Sequence, residues 1–307
     1  MSKKTVRLFL YFTIFAAGAA FISLFLGVAA NDPYIFWNLR APRVLLGLLV
    51  GACLAVSGAV LQAIMKNPKA EPYITGTSAG AALGAVLASF MGAIVLRPFF
   101  AFAGGIAATG VVYMIASFSR RKSPHTLILA GVTLTSLLSS IVLLIMVFSR
   151  ESAYSILFFL TGSLQNPTLI GIISVSLGLA LVGGVSLYYS RELDLISLGD
   201  EEAAFLGVDP SRTGRLLLFT VAVAVAGAVS AAGIIGFAGL IVPHIVRIIS
   251  GAGHRKLIPL SAILGAGMLV LCDSAARLVA APVELPVGVI TAFAGAPFFL
   301  YLLVKGK

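Results

Sequence analysis

RAPRVLLGLLVGACLAVSGAVLQAIMKNPKAEPYITGTSAGA, residues 40–81, decides the fold class of this 307-residue chain. Arg43 and Lys66 bracket 22 residues without a charge. At ~1.5 Å per residue a helix of that length crosses a hydrocarbon core of about 30 Å. Asn67-Pro68 ends the run, and a Gly/Ser/Thr-rich segment restarts it.

The rest of the chain repeats this pattern. Only 10% of residues are charged against 60% hydrophobic, where a soluble domain carries about 25% charged residues. The uncharged runs predict an all-α, multi-pass membrane protein forming one transmembrane domain over residues 1–307. Ten spans are expected near 8–30, 44–65, 73–95, 98–119, 126–148, 168–189, 215–233, 236–250, 258–280 and 286–304. The charge-free stretch 216–246 is too short for two full spans, so Gly233 and Gly236 mark a tight reversal into a short eighth helix, with nine spans as the alternative. Residues 152–167 exceed what the following span needs and predict a partial surface helix.

Charge sets the expected orientation. Sixteen of the 21 basic residues fall on the side that holds both termini, and five (Arg40, Arg43, Arg97, Arg150, Arg277) fall on the other. The positive-inside rule therefore puts both termini in the cytoplasm. The first apolar run, behind Lys3, Lys4 and Arg7, is expected to stay as a helix and not to leave as a signal peptide. The net charge of +10 forms no continuous stripe with interleaved aromatics, so nucleic acid is not an expected partner. Cys53 and Cys272 each lie within an apolar span with no metal-ligand spacing, which predicts two small packing side chains and no metal site.

The order of the motifs adds a resemblance. R-x-P-R at Arg40–Arg43, G-A-x-x-Q at Gly58–Gln62, N-P-x-A-x-P at Asn67–Pro72 and G-x-S-x-G-A at Gly76–Ala81 closely resemble the FecCD-type permeases. These are the membrane subunits of ABC importers for iron chelates, haem and cobalamin. Gly233–Arg247, GIIGFAGLIVPHIVR, and Glu284–Gly288, ELPVG, extend the resemblance to nearly the whole chain. It implies a homodimer in the bacterial or archaeal cytoplasmic membrane, with two ATPase subunits that hold ATP and Mg and one extracytoplasmic substrate-binding protein. This chain would bind no cofactor and catalyse no reaction itself. Its own residues agree on one point, since no G-x-x-x-x-G-K-[ST] phosphate loop is present.

Four groups of residues then acquire expected roles. The longest hydrophilic segment, 190–215, contains LGDEEAAFLG, Leu198–Gly207. Ser197 or Asp200 is positioned to cap a short helix whose first turn is acidic, carrying Glu201, Ala204, Phe205 and Leu206 and ending at Gly207. The resemblance makes Leu198, Gly199, Asp200, Glu201, Ala204, Phe205, Leu206 and Gly207 the coupling element that docks on the ATPase. It makes Arg40, Arg43 and Arg277 docking residues for the binding protein, although Arg277 also lies one turn from Asp273. It places Asn67, Lys69, Pro124 and His125 at an inner gate, where Lys69 departs from the family's usual leucine. Gln62, Thr75, Thr77, Ser78 and Thr161 are candidate pathway-lining groups.

The competing class is a transporter driven by an ion gradient. Such a protein is expected to carry ionisable residues at mid-membrane. Asp273 is the one carboxylate expected inside a span, and it sits toward the outer end.

Overall fold

The computed structural model describes residues 3–26, 32–118, 124–148 and 153–304, and every regular element among them is a helix. In chain order these are α1 (Lys3–Phe25), α2 (Pro33–Ile35), α3 (Ala41–Ile64), α4 (Thr77–Phe90), α5 (Arg97–Phe118), α6 (Pro124–Phe148) and α7 (Ala153–Thr161). The second half continues with α8 (Leu169–Tyr188), α9 (Ser190–Leu198), α10 (Asp200–Phe205), α11 (Pro210–Ala232), α12 (Ala238–Ser250), α13 (His254–Leu278) and α14 (Val287–Val304). Among the described residues seven helices are long and apolar enough to cross a membrane, and α4, α12 and α14 are shorter apolar helices.

The boundaries follow from local chemistry. Thr168 caps α8 through its hydroxyl, which accepts the Gly171 N–H at 3.0 Å. Asp209 caps α11 by accepting the Arg212 N–H at 3.0 Å, with Pro210 at the first helical position. α12 is short because the chain turns at Gly233–Phe237, where Gly233 (φ 69°) and Phe237 (φ 67°) are both left-handed. Between α2 and α3 a π-turn over Phe36–Arg40 leaves the helical path continuous from Pro33 to Ile64.

α3 is the axis of the molecule. It is buried along most of its length and packs on α8, α11, α12 and α13, whereas α1 lies outside against α13. Small residues permit that crowding, as expected where helices associate by packing and not by a hydrophobic drive. A Cβ on Gly58 would lie 1.8 Å from the Gly239 carbonyl oxygen of α12, and one on Gly80 would lie 2.3 Å from that of Gly104. α3 and α13 run antiparallel, because Arg43 at the start of one meets Asp273 near the end of the other. α11 also opposes α3, with Arg215 in its first turns near Met65 at the far end of α3.

Candidate functional sites at the two ends of the bundle

One end gathers the three arginines of the sequence reading. The Arg43 guanidinium donates from Nε and Nη2 to the two oxygens of Asp273, each at 2.9 Å, and from Nη1 to Glu284 Oε2 at 2.9 Å. Gln165 Nε2 donates to the same Glu284 oxygen at 3.0 Å. Arg277 Nη2 donates to Ser23 Oγ at 2.5 Å, and its Nε lies 3.5 Å from Asp273 Oδ2. Arg40 Nη1 donates to the Leu24 carbonyl at 2.9 Å. The three arginines expected as docking cations are brought together at this one end, each with part of its hydrogen bonding taken up within the chain. Arg40 is 8% exposed, and the side chains of Arg43 and Arg277 are 11% and 13% exposed. For Arg43 and Arg277 the cost of leaving water is offset by fixed carboxylates, Asp273 facing both and Glu284 facing Arg43.

The opposite end carries α9 and α10. The chain leaves α8 directly into α9, turns at Gly199 and begins α10 at Asp200. Here the sequence reading requires correction: Gly199 occupies the cap position with no side-chain hydrogen bond, so neither Ser197 nor Asp200 caps α10, and α9 was not foreseen as a separate helix. Ser197 instead donates to the Leu193 carbonyl of its own helix at 2.5 Å. Asp200, Glu201 and Glu202 still occupy the first turn, where the helix dipole favours them. Gly207 (φ 82°) ends the helix in a Schellman motif: Val208 N–H donates to Ala203 O and Gly207 N–H to Ala204 O, both at 3.0 Å. Ala203 is buried while Phe205 is 91% exposed, beside exposed Leu206 and Leu198. Lys66 Nζ meets Asp200 Oδ2 at 2.7 Å, and His254 Nδ1 lies 2.6 Å from Asp194 Oδ1. Burial alone would raise the Asp194 carboxyl, but the ring and backbone N–H of His254 hold it below its ordinary range.

The segment after α3 starts at this end. Asn67 Oδ1 accepts the Lys69 N–H at 2.9 Å in a local turn, and Lys69 Nζ stands 5.9 Å from the Phe299 ring centroid. Pro124 opens α6 and His125 follows it; the side chains of both lie outside the described set. Gln62, Thr75, Thr77 and Ser78 are buried within the protomer. Thr75, Thr77 and Thr109 form a hydroxyl chain at 2.7 and 2.6 Å, and Gln62 Nε2 donates to the Gly239 carbonyl at 3.3 Å. Thr161 donates to the Leu157 carbonyl of its own helix at 2.7 Å. Within the chain Thr75, Thr77, Gln62 and Thr161 make these internal contacts.

Glu71 was missed by the sequence reading. Its Oε1 accepts the Phe237 N–H at the start of α12, and burial pushes its carboxyl up to about 7, partly offset by that bond. The available signal was that no other acid lies between Asp32 and Glu151.

Comparison with known proteins matches this arrangement throughout the chain. The profile of the FecCD transport family matches residues 5–305. The cobalamin import system permease protein BtuC of Halobacterium salinarum is 44% identical over 281 residues, covering 90% of this chain and 75% of that protein. The Fe(3+) dicitrate transport system permease protein FecD of Escherichia coli is 38% identical over 319 residues, covering 98% and 99%. A solved structure of an inward-facing metal-chelate type ABC transporter has a TM-score of 0.87 at 34% identity, covering 97% of this chain and 99% of that one. The helical order, the acidic apolar-tipped α10 and a family match over nearly every residue lead to one assignment: the chain belongs to the FecCD transport family.

Proposed function

We propose that this chain is the permease subunit of a binding-protein-dependent ABC importer that moves a metal chelate of the iron-siderophore, haem or cobalamin class. The observation that carries the reading is α10: a short helix with an acidic first turn that holds Phe205, Leu206 and neighbouring Leu198 out into solvent, in a chain without its own phosphate loop. Exposed apolar side chains on so small an element suit a partner surface. Ten spans place α9, α10 and both termini in the cytoplasm. Two copies of the chain sit in the cytoplasmic membrane with two ATPases on the α10 surfaces and one binding protein on the arginine end.

In this reading ATP closes the ATPases, the paired α10 helices move together, and the Asn67–Lys69 and Pro124–His125 segments rearrange as the inner gate. Chelate released by the binding protein then crosses between the two copies. The relatives named for cobalamin and ferric dicitrate support the cargo class. A transporter driven by an ion gradient is disfavoured because Asp273, the carboxylate within a span, is bound by Arg43 and is not poised to carry a proton, while Glu71 lies between α3 and α4 and is tied to the Phe237 N–H.

Reconstitution tests the reading. Vesicles that hold the chain with its ATPase are expected to accumulate cobalamin, ferric dicitrate or hemin only with internal-face ATP and the cognate binding protein. Uptake driven by a proton or sodium gradient without the ATPase would overturn it.

A further inference from the structure

Lys66 occupies a position that ordinarily belongs to glycine. At the end of α3 the Lys66 N–H donates to Ala63 O at 3.1 Å and the Asn67 N–H to Gln62 O at 3.0 Å, which is the Schellman pattern, and Lys66 stands in its left-handed residue at φ 48°. α10 ends in the same motif with Gly207 in that place. A side chain in this conformation strains the backbone, and glycine relieves it. Lys66 and Phe237 are the two non-glycine residues with positive φ among those described.

Stability does not explain the choice. The Lys66 and Asp200 side chains are 26% and 56% exposed, and an ion pair so open to water contributes little to folding. A lysine retained only for its charge near a membrane surface needs no left-handed backbone. What glycine cannot provide is the 2.7 Å contact with Asp200, the first residue of α10.

The other end of the same segment is also fastened. Glu71 accepts the Phe237 N–H, and Pro72 lies against Gly239, so residues 71–72 are pinned to the start of α12. The segment 67–70 thus runs between one point tied to α10 and another tied to the bundle. We propose that Lys66 is a positioning residue, a strut through which displacement of α10 swings residues 67–70 against their anchor at Glu71 and Phe237. The inference rests on the importer reading, and it names the contact that carries motion from the ATPase side to the gate segment.

A double-mutant cycle in the assembled transporter tests it, using the chelate that the wild-type complex accumulates. Glycine keeps the left-handed turn, so Lys66→Gly is expected to assemble and hydrolyse ATP while moving about five- to tenfold less chelate per ATP. Lys66→Arg is expected to retain the wild-type ratio. Asp200→Asn should lower the ratio to a similar degree, and Lys66→Gly/Asp200→Asn should be no worse than either alone. A wild-type ratio in Lys66→Gly, or losses that multiply in the double variant, would overturn the strut. If the wild-type chain itself recruits no ATPase, the importer reading falls first; if it transports and Lys66→Gly transports equally well, only the strut falls.

Discussion

The antiparallel helices α3 and α13 treat charge in opposite ways at their two ends. At one end Arg43 is wrapped by Asp273 and Glu284 through several directed hydrogen bonds, with the Asp273 side chain 4% exposed. At the other, the same helices lead to Lys66–Asp200 and His254–Asp194, in which the acids are 56% and 44% exposed. A buried, multiply bonded cluster resists opening because any lost partner leaves a desolvated charge behind. The Lys66–Asp200 pair, made by one contact and open to water, adds little to folding and leaves the start of α10 free of a buried anchor. The arginine end is therefore built to hold its shape, and the α10 end to change it.

The largest effect that challenges this contrast is expected from Asp273→Asn. It removes the charge facing both Arg43 and Arg277, and should cost about 3 kcal/mol of stability, read as a lower melting temperature in detergent. A variant that melts with the wild type would show that the cluster does not fix this end. Next comes Phe205→Ala at the α10 end. It should weaken ATPase association by about 2 kcal/mol, roughly thirtyfold in Kd by titration, while leaving the melting temperature of the isolated chain unchanged. Equal affinity in the variant would remove α10 as the docking element.

Two smaller effects sharpen the comparison. Glu284→Gln keeps an acceptor for Arg43 Nη1 at a side chain that is 37% exposed, so its cost is expected near 1 kcal/mol, well below that of Asp273→Asn. A larger loss than for Asp273→Asn would reverse the assignment of which acid holds the cluster. The smallest effect is pH-dependent. Because the folded Asp194 carboxyl lies below its ordinary value, its contribution is present at neutral pH and is lost as pH falls below about 4, the range of a free aspartate, toward the lowered value. Asp194→Asn should flatten that acid limb of the melting curve, and an unchanged limb would exclude this pair as its source.

Much of the fold was legible because the membrane imposes a simple rule of length and polarity. The stretch between Arg43 and Lys66 marked α3 to within a few residues, and Gly233 and Gly236 marked the reversal before α12. Gly207 was legible as a helix end because a left-handed cap has a strong residue preference. The start of α10 was not, since Ser197 and Asp200 both satisfy the composition of a cap while Gly199 occupies its geometry. The arginines were found by residue type and side of the membrane, but the commitment of Arg43 to Asp273 and Glu284 spans 230 and 241 residues of sequence. No local pattern reports a pairing at that distance. Lys66 was read as the end of a span, and only its backbone conformation shows that it replaces glycine.

The central place of α3 has a consequence for how the chain is made. Its neighbours α8, α11, α12 and α13 all follow it by more than a hundred residues, so the helix that ends up most enclosed enters the bilayer among the first. At about 5–20 residues per second, Asp273 emerges roughly ten seconds or more after Arg43. During that interval Arg43 must keep its guanidinium near the headgroups by extending along the helix end, and the small-residue faces of α3 are covered by lipid. Closure of the bundle then depends on lipid leaving those faces as the second half arrives, so the last third of the chain sets the time at which the first third becomes native.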